Sequence, residues 1–264
     1  MNKKQLLFIL IFFAPCFVGA NTAMTFIISG ISDKVLLNVE KRLDEWQQLK
    51  SSNEQNLEEL HTQVINALQP FGYFKASVNI NALSNQKTHI TINPGPQTYI
   101  TSLDVYVTGE GQFNPLIQKA LKNITIKVGD PLLTPAYNKA KQSLMNAAQN
   151  AGYLHASFTR AEILIDEHNT AQITLIFNTG MLFYFGNVAF NQTPLSPELL
   201  HRFVPFKYNQ PYSTEQILKL NNDLSNSGYF SSVVVKPNIS NEKQVPVNIN
   251  LTPVSKYSYS LSGG

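Results

Sequence analysis

The chain changes rhythm in the same way at three places. Along "TPAYNKAKQSLMNAAQNAG", Tyr137, Ala140, Leu144, Ala148 and Ala151 recur every three or four positions, the spacing that puts apolar side chains on one helical face. Thr134 reads as the N-cap of this helix and Pro135 as its first helical residue. The period then drops to two. Phe158, Ile163 and Ile165, followed by Ile173, Leu175 and Phe177, flank the polar turn "DEHNT" as two strands of a hairpin. The switch falls at "AGYLHA", where Gly152 is placed to close the helix in a left-handed conformation and Ala156 opens the strand. "FGYFKA" at 71–76 and "SGYFSS" at 227–232 repeat this hexapeptide. Gly72, Gly152 and Gly228 are therefore expected to do the same structural job.

The flanks of the other two copies fit. Leu57, Leu60, Val64, Leu68 and Phe71 form an apolar stripe before Gly72. Before Gly228 the stripe is Ile217, Leu220 and Leu224, behind a capping box of Ser213 and Gln216. After Gly72, "ASVNINA" sets Ala76, Val78, Ile80 and Ala82 on one face and Ser77, Asn79 and Asn81 on the other. Ile90 and Ile92 answer after a turn at Ser84, Asn85 and Gln86. The third hairpin pairs Val233 and Val235 with Val247, Ile249 and Leu251. Pro246 has no N–H for a ladder, which predicts a strand beginning at Val247.

Each copy also opens with a strand and a first helix. "AMTFIISG" precedes "SDKVLLNVEKRLDEW", with Leu36, Val39, Leu43 and Trp46 on one face; "YITSLDVYVTG" precedes "NPLIQKALKN", and "FYFGNVAFNQ" precedes "SPELLHRFV". The order strand-helix-helix-strand-strand thus occurs three times, near 22–95, 96–181 and 182–254. This is an α+β plan of three small units, each one sheet layer under one helix layer. The junctions "NPGPQ" and "NTGML" are short turns rather than flexible linkers.

Composition adds an address. Lys3 and Lys4 precede the apolar run "LLFILIFFAPCFV", and Val18 and Ala20 are the small residues of a signal-peptidase site, so residues 1–20 read as a leader cut before Asn21. The single cysteine, Cys16, lies inside it, which leaves the exported chain without disulfides or thiol chemistry. Removing Lys3 and Lys4 from a total of 20 basic residues brings the remainder close to balance with its 17 acidic ones. Nothing in that balance calls for nucleic acid.

The candidate chemistry is thin. "VTGEGQFN" imitates a dinucleotide fingerprint, but the third glycine would fall at Asn114, so it reads as a strand-to-helix turn. His61, His89, His155, His168 and His201 have no metal-ligand spacing. The pairs Asp44-Glu45 and Glu58-Glu59 lie on polar helix faces. No catalytic, cofactor or metal residues are assigned, and the chain is not read as an enzyme.

These features together resemble POTRA (polypeptide-transport-associated) domains of the BamA-like superfamily, and among them the three-domain periplasmic region of the TamA family. The stretch "VPFKYNQPYSTEQILKLNNDLSNSGYFSSVVVKP" at 204–237 carries most of the resemblance, with "GDPLLTPAYNKAKQSLMNAAQNAGYLHASF" beside it. Asn209 stands where the family commonly has glycine, a left-handed turn that Asn tolerates. Tyr229 stands where Trp is frequent. The resemblance implies three tandem POTRA domains, each a three-stranded mixed sheet covered by two helices, with the last strand central. It also implies that residues 255–264, which end in "YSYSLSGG", begin an outer-membrane barrel. The implied partners are a TamB-like, inner-membrane-anchored periplasmic protein and nascent outer-membrane or autotransporter polypeptides, bound by β-augmentation. The edge strand of the first domain, with Lys75, Ser77, Asn79 and Asn81, is the expected contact. A scaffold that handles no clients, and the POTRA region of a dedicated secretion transporter, remain as alternatives.

Overall fold

A computed structural model describes residues 24–31, 33–49, 56–82, 87–191 and 195–254. The leader, the 84–86 turn and the barrel-like 255–264 segment lie outside the described residues. Those residues fall into two compact units. The first runs to Leu68 and resumes over Ala76–Pro94; the second holds Gln69–Lys75 together with the chain from Gly95 onward.

The first unit contains β1 (Thr25–Ser29), α1 (Asp33–Leu49), α2 (Leu57–Leu68), β2 (Ser77–Ala82) and β3 (Lys87–Asn93). Its sheet is ordered β1-β3-β2, with β1 parallel and β2 antiparallel to β3. Val39, Leu43 and Trp46 of α1 and Leu60, Val64, Ala67 and Leu68 of α2 are buried with Ile90 and Ile92 of β3. Asn38 Nδ2 donates to the Ala67 carbonyl at 2.8 Å, a polar tie between the helices. Leu57, expected in the stripe, is exposed: it opens α2, a turn short of the packed face.

The second unit holds two repeats of the same order. One is β4 (Tyr99–Thr108), α3 (Pro115–Lys122), α4 (Thr134–Asn150), β5 (Ser157–Ile165) and β6 (Thr170–Asn178). The other is β7 (Tyr184–Asn191), α5 (Pro197–His201), α6 (Thr214–Ser225), β8 (Phe230–Pro237) and β9 (Gln244–Pro253). Their sheets are ordered β4-β6-β5 and β7-β9-β8, again with the last strand central. The inward rows are fully apolar: Ala171, Ile173, Leu175 and Phe177 on β6, and Val245, Val247, Ile249 and Leu251 on β9, are all at 0% exposure. In the last repeat Phe185 stacks on Phe206 with ring centroids 3.6 Å apart.

Three local readings are corrected. The N-cap of α4 is Leu133, which offers no side-chain acceptor, so Thr134 is already helical. The capping box before α6 is half made: Ser213 Oγ accepts from Gln216 N at 3.4 Å, but the Gln216 amide donates to the Pro205 carbonyl. And β9 begins at Gln244, so Pro246 lies within a central strand. The neighbouring strand accommodates it. The β7–β9 register skips between Phe185 and Val188, so Gly186 and Asn187 bulge opposite the proline. A Cβ on Gly186 would lie 2.9 Å from Pro246 N, so only glycine lets the backbone approach the ring this closely.

Candidate partner-binding edge and repeat joints

Each sheet has two edge strands, and what happens to them differs between the repeats. β4 and β5 carry register shifts at Ile100/Ser102 and Phe158/Arg160; β7 and β8 carry them at Phe185/Val188 and Phe230/Ser232. A bulge twists an edge and spoils it as a template for a further strand. The edges of β4 and β7 are also partly covered. Ile100 N donates to the Asp130 carbonyl and its own carbonyl accepts from Gly129 N; Phe185 repeats this with Gln210 and Asn209. Gly129 (φ 92) and Asn209 (φ 61) turn these two loops with the same left-handed residue.

In the first unit both pairings run without a register shift. β2 pairs with β3 on one side, and no strand lies on its other side among the described residues. Its burial alternates, with Val78 and Ile80 half-buried and Ser77, Asn79 and Asn81 exposed. The register sets those three beside Asn93, Thr91 and His89 of β3. His89 contacts Ser29 Oγ through Nε2 at 3.3 Å on the outer face of this sheet, which also carries exposed Lys87 at the start of β3. Lys75 is not on this strand. It lies two positions ahead of β2, counts with the second unit, and its ammonium donates to the Glu167 carbonyl at 2.6 Å.

The three repeat glycines all have left-handed φ: 83° at Gly72, 91° at Gly152 and 76° at Gly228. Their surroundings separate them. The Gly152 carbonyl accepts from Phe183 N at 3.0 Å, and a Cβ there would lie 2.7 Å from the Tyr212 carbonyl oxygen. Gly72 has the equivalent neighbours one repeat earlier: Thr98 N donates to its carbonyl at 2.8 Å, and the Leu132 carbonyl oxygen would meet its Cβ at 2.9 Å. At Gly228 nothing lies within 4 Å of that position. Gly-Tyr thus serves as a seat for the following repeat as well as a helix stop. Sequence alone could have hinted at this, since the residues seated on the two glycines, Leu132 and Tyr212, both follow proline.

Among the described residues no three His, Cys, Asp or Glu side chains converge on a point where a metal could sit. His155 and His201 pack edge-on against Phe183 and Phe190. Burial pushes the phenols of Tyr137, Tyr153 and Tyr212 up, which fits side chains serving as core. A groove of about 340 Å³ beside the β7 bulge, lined by Val188, Val204, Phe206, Tyr208 and His201, had no signature in the periodicity.

Residues 25–94 match the family model described as POTRA domain TamA domain 1, and residues 183–253 match the POTRA model described as Surface antigen variable number repeat. The solved structure of POTRA domains 3–5 of Haemophilus influenzae BamA covers 87% of this chain and 95% of its own, at 15% identity and a TM-score of 0.52. At that identity the likeness is one of fold. Two looser likenesses carry no argument. BamA from Haemophilus ducreyi lacking POTRA domains 1–3 has a TM-score of 0.48 at 15% identity, over 59% of this chain and 29% of that one. CdiB from Acinetobacter baumannii has a TM-score of 0.36 at 12% identity, over 86% and 40%. The chain carries POTRA domains, arranged as tandem units that each hold a three-stranded mixed sheet and helices.

Proposed function

We propose that this chain is the periplasmic region of an outer-membrane assembly or translocation factor of the TamA type, exported by a leader cleaved after Ala20. Its first repeat docks a TamB-like partner that spans the periplasm, and client polypeptides bind by adding a strand to a sheet edge. The observation that carries this reading is the β2 edge, which is free and unshifted in the repeat that matches the TamA domain 1 model. Strand addition uses backbone hydrogen bonds, so it suits clients that share no sequence. Ser77, Asn79 and Asn81 flank the incoming strand on the outer face, and Lys75 stands two positions ahead of β2.

Proline scanning tests the contact. Successive residues of a strand point their N–H groups to opposite sides, so Asn79→Pro and Ile80→Pro between them remove one outward donor and one ladder donor. The outward variant should stay folded and bind the partner about five- to tenfold more weakly, the worth of one net hydrogen bond. If the variants that fold bind like wild type, recognition does not run through this edge.

A further inference from the structure

The loop after β4, "GEG", makes contacts that a simple strand-to-helix turn does not require. Glu110 Oε2 accepts from Leu182 N at 3.0 Å, in the link that precedes β7. Its Oε1 accepts from Lys243 Nζ at 3.0 Å, in the hairpin between β8 and β9. One carboxylate of the second repeat therefore holds two separate parts of the third.

Both ends of this arrangement are fixed by hydrogen bonds that backbone N–H groups donate. Glu110 N donates to the Gly180 carbonyl at 3.1 Å, and Gly111 N donates to Thr179 Oγ1 at 2.9 Å. Across the joint, the Lys243 carbonyl accepts from Tyr184 N at 2.8 Å. An exposed ion pair between two mobile side chains contributes little, because ordering them offsets the attraction. Here the loop and the hairpin are already ordered, and one partner of the carboxylate is a backbone N–H.

We propose that Glu110 is an orientation clamp that fixes the third repeat on the second, so that the two reorient as one body. The backbone seat at Gly152 and Phe183 sets where the repeats touch; Glu110, on the rim, sets the angle. Leu182 N–H first, and Lys243 second, hold the Glu110 carboxyl below the ordinary glutamate value. The clamp is therefore closed above that value and releases as pH falls through the lowered one. Tyr153 is the other titratable group coupled to Glu110.

Distance measurements by pulsed electron paramagnetic resonance test the clamp. In a Cys16→Ser background, spin labels at Lys139 on α4 and Lys236 on β8, both exposed, report the orientation of the two repeats. Wild type should give one narrow distribution. Glu110→Ala and Lys243→Glu should each broaden it at least about twofold with the thermal midpoint nearly unchanged. Glu110→Gln, which keeps an acceptor for Leu182, should fall between. Wild type in about 1 M salt, where the screening length falls to about 3 Å, adds an arm without substitution and should broaden modestly. Unchanged distributions in the folded variants and in salt would overturn the clamp and leave the Gly152 seat as the whole joint.

Discussion

Replacing the repeat glycines one at a time by alanine should separate helix closure from seating. At each site an L side chain is forced into the left-handed region, which costs about 1–2 kcal/mol. Gly228→Ala incurs that cost alone, because nothing lies within 4 Å of the new methyl group. Gly152→Ala adds a methyl group 2.7 Å from the Tyr212 carbonyl oxygen and 3.1 Å from Leu182 Cδ1. The leucine can move, but the carbonyl belongs to the turn entering α6, so the joint must open. Overpacking of this kind adds about 1–3 kcal/mol, for a total of about 2–5 kcal/mol. Gly72→Ala, with its Cβ 2.9 Å from the Leu132 carbonyl oxygen, should fall between the two. Hydrogen exchange along a urea series, read on peptides covering β6 and β9, localises the loss. The single tryptophan, Trp46, reports only the first unit and serves as an internal control. Equal losses at Gly152 and Gly228 would refute the seating argument, and no loss at either would refute the left-handed one.

Two further outcomes follow from the β5–β6 turn. Asn169 is 6% exposed at φ 64°; its Oδ1 accepts from Thr98 Oγ1 at 2.8 Å and its Nδ2 donates to the Pro96 carbonyl at 3.0 Å. Asn169→Ala leaves both partners unsatisfied in a strained conformation and should cost about 2–4 kcal/mol in urea unfolding, with Asn169→Asp milder because it keeps the acceptor. Thr170 N–H first, and its hydroxyl second, hold the Asp166 carboxyl below the ordinary aspartate value. Its contribution is present above that value and lost as pH falls through the lowered one. Asp166→Asn should therefore flatten the acid limb of urea midpoint against pH and leave the neutral plateau's shape unchanged.

The repeat and its strand–helix order were legible because they rest on short-range rules. Period-two and period-3.6 patterns, Gly after a helix, and a left-handed Asn209 each depend on a few neighbouring residues. What escaped depends on a partner distant in sequence. Against its own strand Pro246 reads as a strand breaker, and only the Gly186–Asn187 bulge in β7 explains how a central strand holds it. None of the four bulges that spoil the later edges has a local signature, since a bulge is a property of a pair. The division at Leu68 was hidden for the same reason. Gln69–Lys75 looks like the end of the first repeat's helix, yet Phe74 packs against the core of the second unit. Glu110 read as part of an idle turn, because Lys243 stands far along the chain.

In every sheet the strand synthesised last is the one in the middle. β1 and β2 never touch except through β3, and the same holds for β4 and β5 with β6 and for β7 and β8 with β9. A chain that emerges N-terminus first therefore cannot build these sheets by accretion. Each repeat must wait with two unpaired strands until its final segment emerges, and then close in one step around pairings as distant as Thr25 with Lys87 and Tyr99 with Thr170. During that interval the unfinished sheet offers a central gap open to other extended chains, a hazard that falls on every repeat in turn.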